Sequence, residues 1–288
     1  MPKNNDRLIL VSGATGQQGG AALKHLRDRG FPVRALTRDP SQEKARKLVG
    51  RGTEVARGDL DDHASLTRAL DGVYGVHSVQ NWREGLEAEV RQGNNLTDAA
   101  RRSRVSHLIY SSVSGADLKT GIPHFESKWQ IEEHLRTSGV HFTILRPVFF
   151  MENWLGVRDA VDQGTLALPL RPETRLQMIA VDDIGAFVAM AFEKPGHWQD
   201  QTRELAGDEL SMEELTERLG RASGRQVRYQ QVPWDDWERQ VGHELTVMWR
   251  WFEEHGYHVD TALVRQEYPQ LTGFDRWLSQ HWLLRRTA

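Results

Sequence analysis

The chain has 288 residues and a formal charge of −3, with 37 Lys and Arg against 40 Asp and Glu. A protein that binds nucleic acid neutralises phosphates with a basic excess that this chain lacks, so no nucleic acid partner is expected. Cysteine is absent, which excludes disulfides and thiolate chemistry. No apolar run approaches the ~18 residues of a membrane span, and none at the N-terminus has the length of a signal-peptide core. We therefore expect a soluble, cytoplasmic protein that does not bind membranes.

Short apolar runs alternate with amphipathic stretches from residue 7 to about residue 147. The runs predict strands at Leu8–Val11, Val33–Leu36, Glu54–Ala56, Val73–Val79, His107–Tyr110 and Phe142–Leu145. Helices are predicted around 18–29, 41–49, 63–71, 84–103 and 124–138. Such alternation is typical of βαβ units, whose right-handed crossovers place helices on both faces of a parallel sheet. The first half of the chain is therefore predicted to be an α/β, doubly wound parallel sheet of the Rossmann type.

After Pro147 the pattern changes to one with few strand signals. It predicts a helix at 152–163, a connector at 169–172, a strand at Gln177–Val181 and a helix from Asp182 to about Glu193. Further on it predicts helices near 211–222, 234–241, 244–255 and 273–284, and a strand at Val227–Val232. We interpret residues 1–150 as the sheet domain, with 176–195 packing on it. Residues 151–175 and 196–288 form a smaller, mostly helical C-terminal lobe in this interpretation.

A glycine-rich turn joins the first predicted strand to the first predicted helix. Its glycines Gly13, Gly16 and Gly19 have GxxGxxG spacing. In a nucleotide-binding turn the first glycine permits the tight bend, the second lets the backbone approach a pyrophosphate, and the third allows close helix–strand packing. The helix N-terminus adds free N–H groups and a positive dipole. The turn therefore predicts a dinucleotide site, with a glycine-rich turn that binds no cofactor as the alternative.

The end of the second predicted strand indicates which dinucleotide is bound. Arg38 lies near the position from which a side chain reaches the ribose 2′ position, and its planar guanidinium suits a 2′-phosphate. This favours NADP(H) over NAD(H). Asp39 is the counter-argument, because a carboxylate there could accept from a 2′-hydroxyl; it could equally cap a helix that begins at Pro40. Lys44 and Arg46 follow, either as phosphate contacts or as part of a solvated helix face.

Asp59 and Leu60 close the third predicted strand. A carboxylate at the C-terminal end of this strand could accept from the adenine amino group. It could also cap the helix that follows. Both interpretations of Asp59 stay open on the sequence alone.

With these residues the sequence resembles the NmrA-like branch of the atypical short-chain dehydrogenases, and within it the HSCARG-type NADPH sensor proteins. The matching motifs are the Gly13–Gly20 turn, Thr37-Arg38, Gly58-Asp59, His124-Phe125-Glu126-Ser127-Lys128 with Glu132-Glu133, Arg146 with Glu152-Asn153, and Val181-Asp182-Asp183-Ile184-Gly185. They span nearly the whole chain. The resemblance implies an NADP(H)-preferring Rossmann domain with a small C-terminal lobe that closes over the nicotinamide.

Carried over residue by residue, the resemblance extends the cofactor contacts beyond the glycine turn. The predicted cofactor-binding residues are Gly13, Ala14, Thr15, Gly16, Gln17, Gln18, Gly19, Arg38, Asp59, Leu60, Gln80, Asn81, Trp82, Arg91, Lys128, Phe150, Met151, Glu152 and Asn153. Those from Gln80 onward rest on the resemblance alone.

The catalytic pattern of the family is altered in this chain. Short-chain dehydrogenases use Tyr-x-x-x-Lys, in which the lysine lowers the pKa of the tyrosine so that its hydroxyl transfers a proton. Here His124 stands at the tyrosine position, and Lys128 is retained. We predict catalytic roles for Lys128, for Ser112 as the family's serine, and for His124. The alternatives are an ion pair of Lys128 with Glu132, a turn hydrogen bond for Ser112 and a helix-start position for His124.

No metal site is predicted, because His255 and His258, the histidines with suitable spacing, straddle Gly256 at a predicted helix end. Tryptophan is frequent, with 10 residues. We interpret the tryptophans of the C-terminal lobe as core, with a substrate pocket or a partner surface as alternatives. The nearer candidates for a flat, apolar substrate pocket are Trp82, Phe149, Phe150 and Trp154.

Two functions fit these features. In the first, the protein is an NADPH-dependent reductase of conjugated acceptors such as quinones, azo compounds or dyes. Such acceptors need little enzymatic acid because the charge spreads over the acceptor. In the second, it is a non-catalytic NADPH/NADP redox sensor that acts through conformational change and through a protein partner or a homodimer. The sequence does not separate the two.

Overall fold

The computed structural model describes residues 4–282, which form two compact units. The first unit comprises the chain up to Leu118, Pro123–Arg146 and Val181–Arg203. The second comprises Lys119–Ile122, Pro147–Ala180 and the chain from Glu204 onward. The chain thus leaves the first unit at Pro147 and returns to it at Val181.

In chain order the strands are β1 (Ile9–Val11), β2 (Val33–Thr37), β3 (Glu54–Arg57), β4 (Gly75–Ser78), β5 (His107–Ser111), β6 (Phe142–Pro147), β7 (Phe149–Phe150), β8 (Thr165–Leu168), β9 (Arg175–Ile179), β10 (Gln201–Leu205), β11 (Asp208–Ser211) and β12 (Arg228–Gln231). The α-helices are α1 (Gln17–Asp28), α2 (Glu43–Val49), α3 (His63–Ala69), α4 (Leu86–Arg102), α5 (Pro123–Thr137), α6 (Arg158–Asp162), α7 (Val181–Glu193), α8 (Pro195–Trp198), α9 (Met212–Ser223), α10 (Trp234–Val241), α11 (His243–Glu254), α12 (Thr261–Glu267) and α13 (Phe274–His281). Short 3₁₀ segments lie at Asn4–Asp6, Trp82–Glu84, Ala116–Leu118 and Met151–Val157.

The first unit is built on a seven-stranded sheet with the order β10-β6-β5-β4-β1-β2-β3. From β3 to β6 every neighbouring pair of strands is parallel. The order reverses between β1 and β4, because the chain adds β2 and β3 on one side of β1 and then adds β4 on the other. Ligands of such sheets bind beyond the carboxyl ends of the strands at this switch point. The prediction of a doubly wound parallel sheet is confirmed.

Alternate residues of the central strands pack against α4 and α5. Leu10 of β1 and Leu108 and Tyr110 of β5 belong to one buried cluster with Leu96 of α4 and Ile131 of α5. Side chains two apart along a strand share a face, so this cluster follows from the apolar alternation of β5. It fixes α4 and α5 beside each other, and these two helices carry several of the predicted site residues.

A second contact within the first unit joins α1 to α7. A Cβ atom at Gly185 would lie 2.5 Å from the carbonyl carbon of Ala21, so the two helices cross with backbone against backbone. Helix α7 is buried around its whole circumference, and only Asp182 and Glu193 are not buried. A helix that is apolar all round belongs inside a protein.

The second unit contains small sheets and several helices. Its three-stranded sheet has the order β11-β9-β7, with β9 antiparallel to β11 and parallel to β7. Strand β12 pairs with β8 in parallel. Helices α9 to α13 make the C-terminal part largely helical, as predicted. Among residues 4–282, none of the helices combines the length and the apolar character needed to cross a bilayer.

Some predicted elements differ from those observed. The helix expected at 152–163 is a 3₁₀ segment, Met151–Val157, followed by the short α6. Strands β8, β10 and β11 were not predicted, because each has only four or five residues and charged or polar side chains lie among the apolar ones. Helices α8 and α12 were also missed, since they are only four and seven residues long.

Candidate functional site

The glycine-rich turn between β1 and α1 requires glycine at two positions. Gly13 has a φ of +60°, and a Cβ there would lie 2.8 Å from Cγ1 of Val79. A Cβ at Gly19 would lie 2.3 Å from the carbonyl oxygen of Gly13. Gly13 has the predicted tight-bend role, because L-residues rarely adopt a positive φ. Gly19 has the predicted close-packing role, because the atom that a Cβ would meet belongs to the backbone and cannot easily move aside.

The N-terminus of α1 lacks a side-chain cap. The N-cap residue is Gly16, which has no side chain to cap the first turn, and no acidic residue lies in that turn. The first N–H groups of a helix have no partner within the helix, so they are available to an anion. The side chain of Ala14 is buried, whereas Thr15, Gly16 and Gln17 are exposed.

Two buried amide oxygens around the turn have no hydrogen-bond partner among the described residues. One is Oε1 of Gln18 and the other is Oε1 of Gln80, whose Nε2 donates to the hydroxyl of Ser78 at 2.9 Å. Ser12 ties the turn to the loop after β4, because its hydroxyl accepts from the N–H of Val79 at 2.8 Å. The uncapped helix end suits an anionic group, and the two amide oxygens are free to accept from hydroxyl or amino groups, so the turn fits a ligand with both, such as a dinucleotide.

Beyond β2, Arg38 and Asp39 contact different groups. Nη2 of Arg38 donates to Oε1 of Glu84 at 3.1 Å, in the 3₁₀ segment after β4. The carboxylate of Asp39 accepts from both the N–H and the hydroxyl of Ser41, and these hydrogen bonds hold the pKa of Asp39 below its ordinary value. Asp39 does not cap α2, whose N-cap residue is Gln42. That alternative for Asp39 is therefore wrong: its carboxylate stabilises its own turn.

A second acid–base pair lies next to Glu84. Nε of Arg91 donates to Oδ1 of Asp61 at 2.7 Å, and this hydrogen bond lowers the pKa of Asp61. Nε2 of Gln92 donates both to Oδ2 of Asp61 and to Oε2 of Glu84, at 3.1 Å in each case. The loops after β2, β3 and β4 therefore meet the first turns of α4 in one polar network.

Asp59 and Leu60 lie at the edge of this network. The carboxylate of Asp59 accepts from the N–H of Asp61 at 3.0 Å. Helix α3 is capped by Asp62, so the alternative role of Asp59 as a helix cap is wrong. The carbonyl oxygen of Leu60 accepts from Nδ2 of Asn95 at 2.9 Å, which anchors the end of β3 to α4.

Trp82 and His124 form a stacked pair. Their ring centroids are 5.2 Å apart and the rings are inclined by 30°. Asn81 begins the 3₁₀ segment by accepting from the N–H of Arg83, and Trp82 is half-buried. His124 lies in the first turn of α5, also contacts the ring of Phe125 edge-on, and is 9% exposed. The predicted candidate for the tyrosine position is thus held at the start of its helix by an aromatic partner.

Lys128 has a buried partner that the sequence did not indicate. Its Nζ donates to Oε1 of Glu89 on α4, while the hydroxyl of Ser127 donates to Oε2 of Glu89 at 2.5 Å. The side chain of Glu89 is fully buried and that of Lys128 is 13% exposed. The alternative that pairs Lys128 with Glu132 is therefore wrong, since the two carboxylates serve different cations.

Glu132 instead joins Ser112 to Arg146. The guanidinium of Arg146 donates from Nε and Nη2 to the two oxygens of Glu132 at 2.9 and 2.8 Å. The hydroxyl of Ser112 donates to Oε1 of the same carboxylate at 2.6 Å, and Arg146 also contacts Asp117 at 2.8 Å. Ser112 is thus engaged in a buried ion-pair network rather than in a turn hydrogen bond.

The remaining predicted residues lie in the second unit. Met151 is buried, Phe150 and Glu152 are half-buried, and Asn153 is exposed. Nε1 of Trp277 donates to Oε1 of Glu152 at 3.0 Å. The aromatic rings of Phe149 and Trp154 are 5.3 Å apart. Within the described part of the chain, no group of three or more His, Asp or Glu side chains is placed to hold a metal ion.

Sequence reasoning missed the partners of its own candidates, namely Glu84, Glu89, Asp61 and Gln92. A signal for Glu89 was present, because Gln92 and Leu96 share its face of α4 at i+3 and i+7, which places an acid on the apolar side of an amphipathic helix. No comparable pattern marks Glu84, which is exposed in a short 3₁₀ segment.

Comparison with known proteins identifies the family of this chain. The model of the NmrA-like family matches residues 5–278. The chain belongs to the NmrA-like family. An NAD(P)H azoreductase from Xenophilus azovorans is 33% identical over 77% of this chain and 76% of its own length. The NADPH complex of the quinone oxidoreductase QOR2 from Escherichia coli superposes with a TM-score of 0.84 at 25% identity, covering 95% of this chain and 99% of that chain.

A transcriptional regulator has the same fold as this chain, at low sequence identity. NmrA, a negative transcriptional regulator in complex with NADP, superposes with a TM-score of 0.82 at 20% identity. The match covers 97% of this chain and 96% of that chain. The same fold therefore occurs in a reductase and in a transcriptional regulator.

Proposed function

We propose that this NmrA-like protein binds NADP(H) and reduces small conjugated acceptors of the quinone, azo or dye type. The observation that carries the proposal is the uncapped, glycine-bounded N-terminus of α1 at the switch point of the sheet. The azoreductase and quinone oxidoreductase relatives support the acceptor class.

The residues of the first unit fit a dinucleotide. The N–H groups at the start of α1 would hold the pyrophosphate, and the unpartnered amide oxygens of Gln18 and Gln80 would accept from hydroxyl or amino groups of the cofactor. Arg38 would face the 2′-phosphate, which is the basis for preferring NADP(H) over NAD(H). When bound, the nicotinamide supplies a hydride.

The protein's own contribution to the reaction is mainly positioning. Lys128, held by Glu89, would offer its ammonium to ribose hydroxyls or to the carboxamide of the cofactor. The position of the family's tyrosine carries His124, so alcohol–ketone chemistry would lack its usual proton donor. A conjugated acceptor spreads the charge that it gains and takes its proton from water or from His124.

The test combines binding with turnover. Purified protein is titrated with NADPH and with NADH by tryptophan fluorescence, then mixed with a quinone and an azo dye while nicotinamide absorbance is followed. We expect saturable NADPH binding and a steady loss of absorbance that requires the acceptor. Binding without absorbance loss across several acceptors would contradict the reductase, and no binding of either nucleotide would contradict the whole proposal.

A substitution at the helix N-terminus sharpens this test. Gly16→Asp places a carboxylate where the pyrophosphate would bind, so we expect NADPH affinity to fall at least about tenfold through like-charge repulsion. The matched control is Gly196→Asp, which adds the same charge where a Cβ has no neighbour within 4 Å. Equal affinities in the two variants would exclude α1 as the phosphate site.

A non-catalytic NADPH/NADP sensor is the second candidate. It is favoured by the commitment of the hydroxyl proton of Ser112 to Glu132, which leaves that side chain no proton to give an acceptor. Such a sensor would act through a protein partner or a homodimer and would bind the reduced and oxidised cofactors with different affinity. The turnover assay separates it from the reductase.

A further inference from the structure

The two arginines predicted for the cofactor are each held by an acid from another loop. The side chain of Arg38 is 68% exposed, and its Nη2 contacts Glu84 at 3.1 Å. Arg91 contacts Asp61. Both acids come from loops at the carboxyl ends of parallel strands, where the adenosine half of a dinucleotide binds.

Glu84 is fixed more firmly than an ordinary surface carboxylate. Its Oε1 accepts from Arg38 and its Oε2 accepts from Gln92, which is only 6% exposed. Gln92 is itself bound to Asp61, so the position of Glu84 depends on the network rather than on one flexible pair. Glu84 takes the Nη2 donor of Arg38 that a 2′-phosphate would use for a two-pronged contact, and its charge would repel that phosphate.

We propose that Glu84 is the residue that sets the selectivity between NADPH and NADH, by competing with the 2′-phosphate for Arg38. The proposal rests on the proposed dinucleotide binding and deepens it. NADPH must displace the carboxylate from the guanidinium before its 2′-phosphate binds there. NADH leaves the pair in place, and its ribose 2′-hydroxyl can donate to Glu84. The acid that opposes NADPH is therefore Glu84 and not Asp39, whose carboxylate is taken up by Ser41.

Glu84→Gln tests the competition directly. The glutamine retains the size of the side chain and an oxygen that accepts from Gln92, but it removes the charge. We expect NADPH to bind about tenfold more tightly, and NADH to bind equally or more weakly, when dissociation constants are measured by fluorescence titration at low ionic strength. The matched control is Glu133→Gln, which removes the same charge from the exposed face of α5.

Three outcomes would overturn the proposal. If NADPH and NADH bind to the wild type, and Glu84→Gln changes their affinity ratio by less than about twofold, the proposal fails while the proposed function stands. The Arg38→Ala/Glu84→Gln double variant is compared with the Arg38→Ala single variant. If Glu84→Gln still raises the affinity for NADPH in this comparison, Glu84 does not act through Arg38. If neither nucleotide binds to the wild type, the proposed function fails together with this inference.

Discussion

The residue that best illustrates the chemistry of this protein is Glu89. A fully buried carboxylate is costly unless cations and hydrogen-bond donors surround it. Here Lys128 and Ser127 supply both. The arrangement holds the ammonium of Lys128 between α4 and α5, so the lysine of the family motif has a fixed position before any ligand binds.

Breaking this pair is expected to destabilise the fold. Glu89→Gln leaves the ammonium of Lys128 opposite a neutral amide, and we expect the free energy of unfolding to fall by about 3 kcal/mol. Urea denaturation followed by circular dichroism measures the change. Glu87→Gln, an exposed acid in the first turn of the same helix, is the control and should shift stability by less than about 0.5 kcal/mol. Equal shifts in the two variants would show that the pair contributes nothing.

Two buried histidines make stability depend on pH. Burial lowers the pKa of His77 and of His107 to about 4, and the rings contact Ser111 and Thr143. In the unfolded chain histidine titrates near 6.5, so between about pH 6.5 and 4 the unfolded state binds protons that the folded state refuses. Each histidine therefore stabilises the fold fully above this window, and its contribution is lost as the pH falls through it.

The expected slope is about 1.4 kcal/mol per pH unit for each histidine. Urea unfolding curves at pH 7.5, 6.0 and 5.0 should show a falling midpoint in the wild type and a shallower fall in His77→Gln. His258→Gln, at an exposed position, should retain the wild-type slope. A His77→Gln slope equal to that of the wild type would contradict the assignment.

At the scale of elements, the crossing of α1 and α7 depends on a missing side chain. Gly185 allows the backbone of α7 to rest on Ala21, at a distance that no Cβ atom tolerates. Helix propensity alone would favour alanine at this position by about 1 kcal/mol. For Gly185→Ala, the backbone contact therefore predicts a lower free energy of unfolding, whereas helix propensity predicts a higher one.

We expect the contact to dominate, so that Gly185→Ala lowers the free energy of unfolding by about 1–3 kcal/mol. Thermal and urea denaturation both report the sign. Gly196→Ala is the control, because it lies in helix α8 with open space around the added methyl group. A more stable Gly185→Ala variant would mean that α1 and α7 can separate without loss.

The sequence predicted elements well where apolar periodicity was strong and poorly where elements were short. Strands β1 to β6 and helices α1 to α5 were found close to their observed ends, because apolar residues recur along most of them with the period of a strand or a helix. Strand β11, Asp208–Ser211, was missed because two of its four residues are acidic and its pairing with β9 depends on tertiary structure.

At the scale of the whole molecule, strand order decides which candidates meet. The glycine turn and Arg38 were predictable because they follow strands directly. The pairing of Arg38 with Glu84 joins residues 46 positions apart, and that of Lys128 with Glu89 joins residues 39 positions apart. Neither pairing follows from local spacing. The first depends on β4 lying beside β1, and the second depends on α4 lying beside α5. The sequence therefore identified the candidates but not their partners.

The return of the chain to the first unit at Val181 bears on how the protein is made. Helix α1 is synthesised well before its partner α7, which begins at Val181, beyond all of β2 to β9. The first unit lacks a complete α7 until Glu193 has been added, and it lacks its part of β10 until Arg203 has been added. The nascent chain must therefore keep the apolar surface of α1 from aggregating while the intervening residues 147–180 are translated. The chain order therefore delays the burial of this face of α1 until α7 has been made.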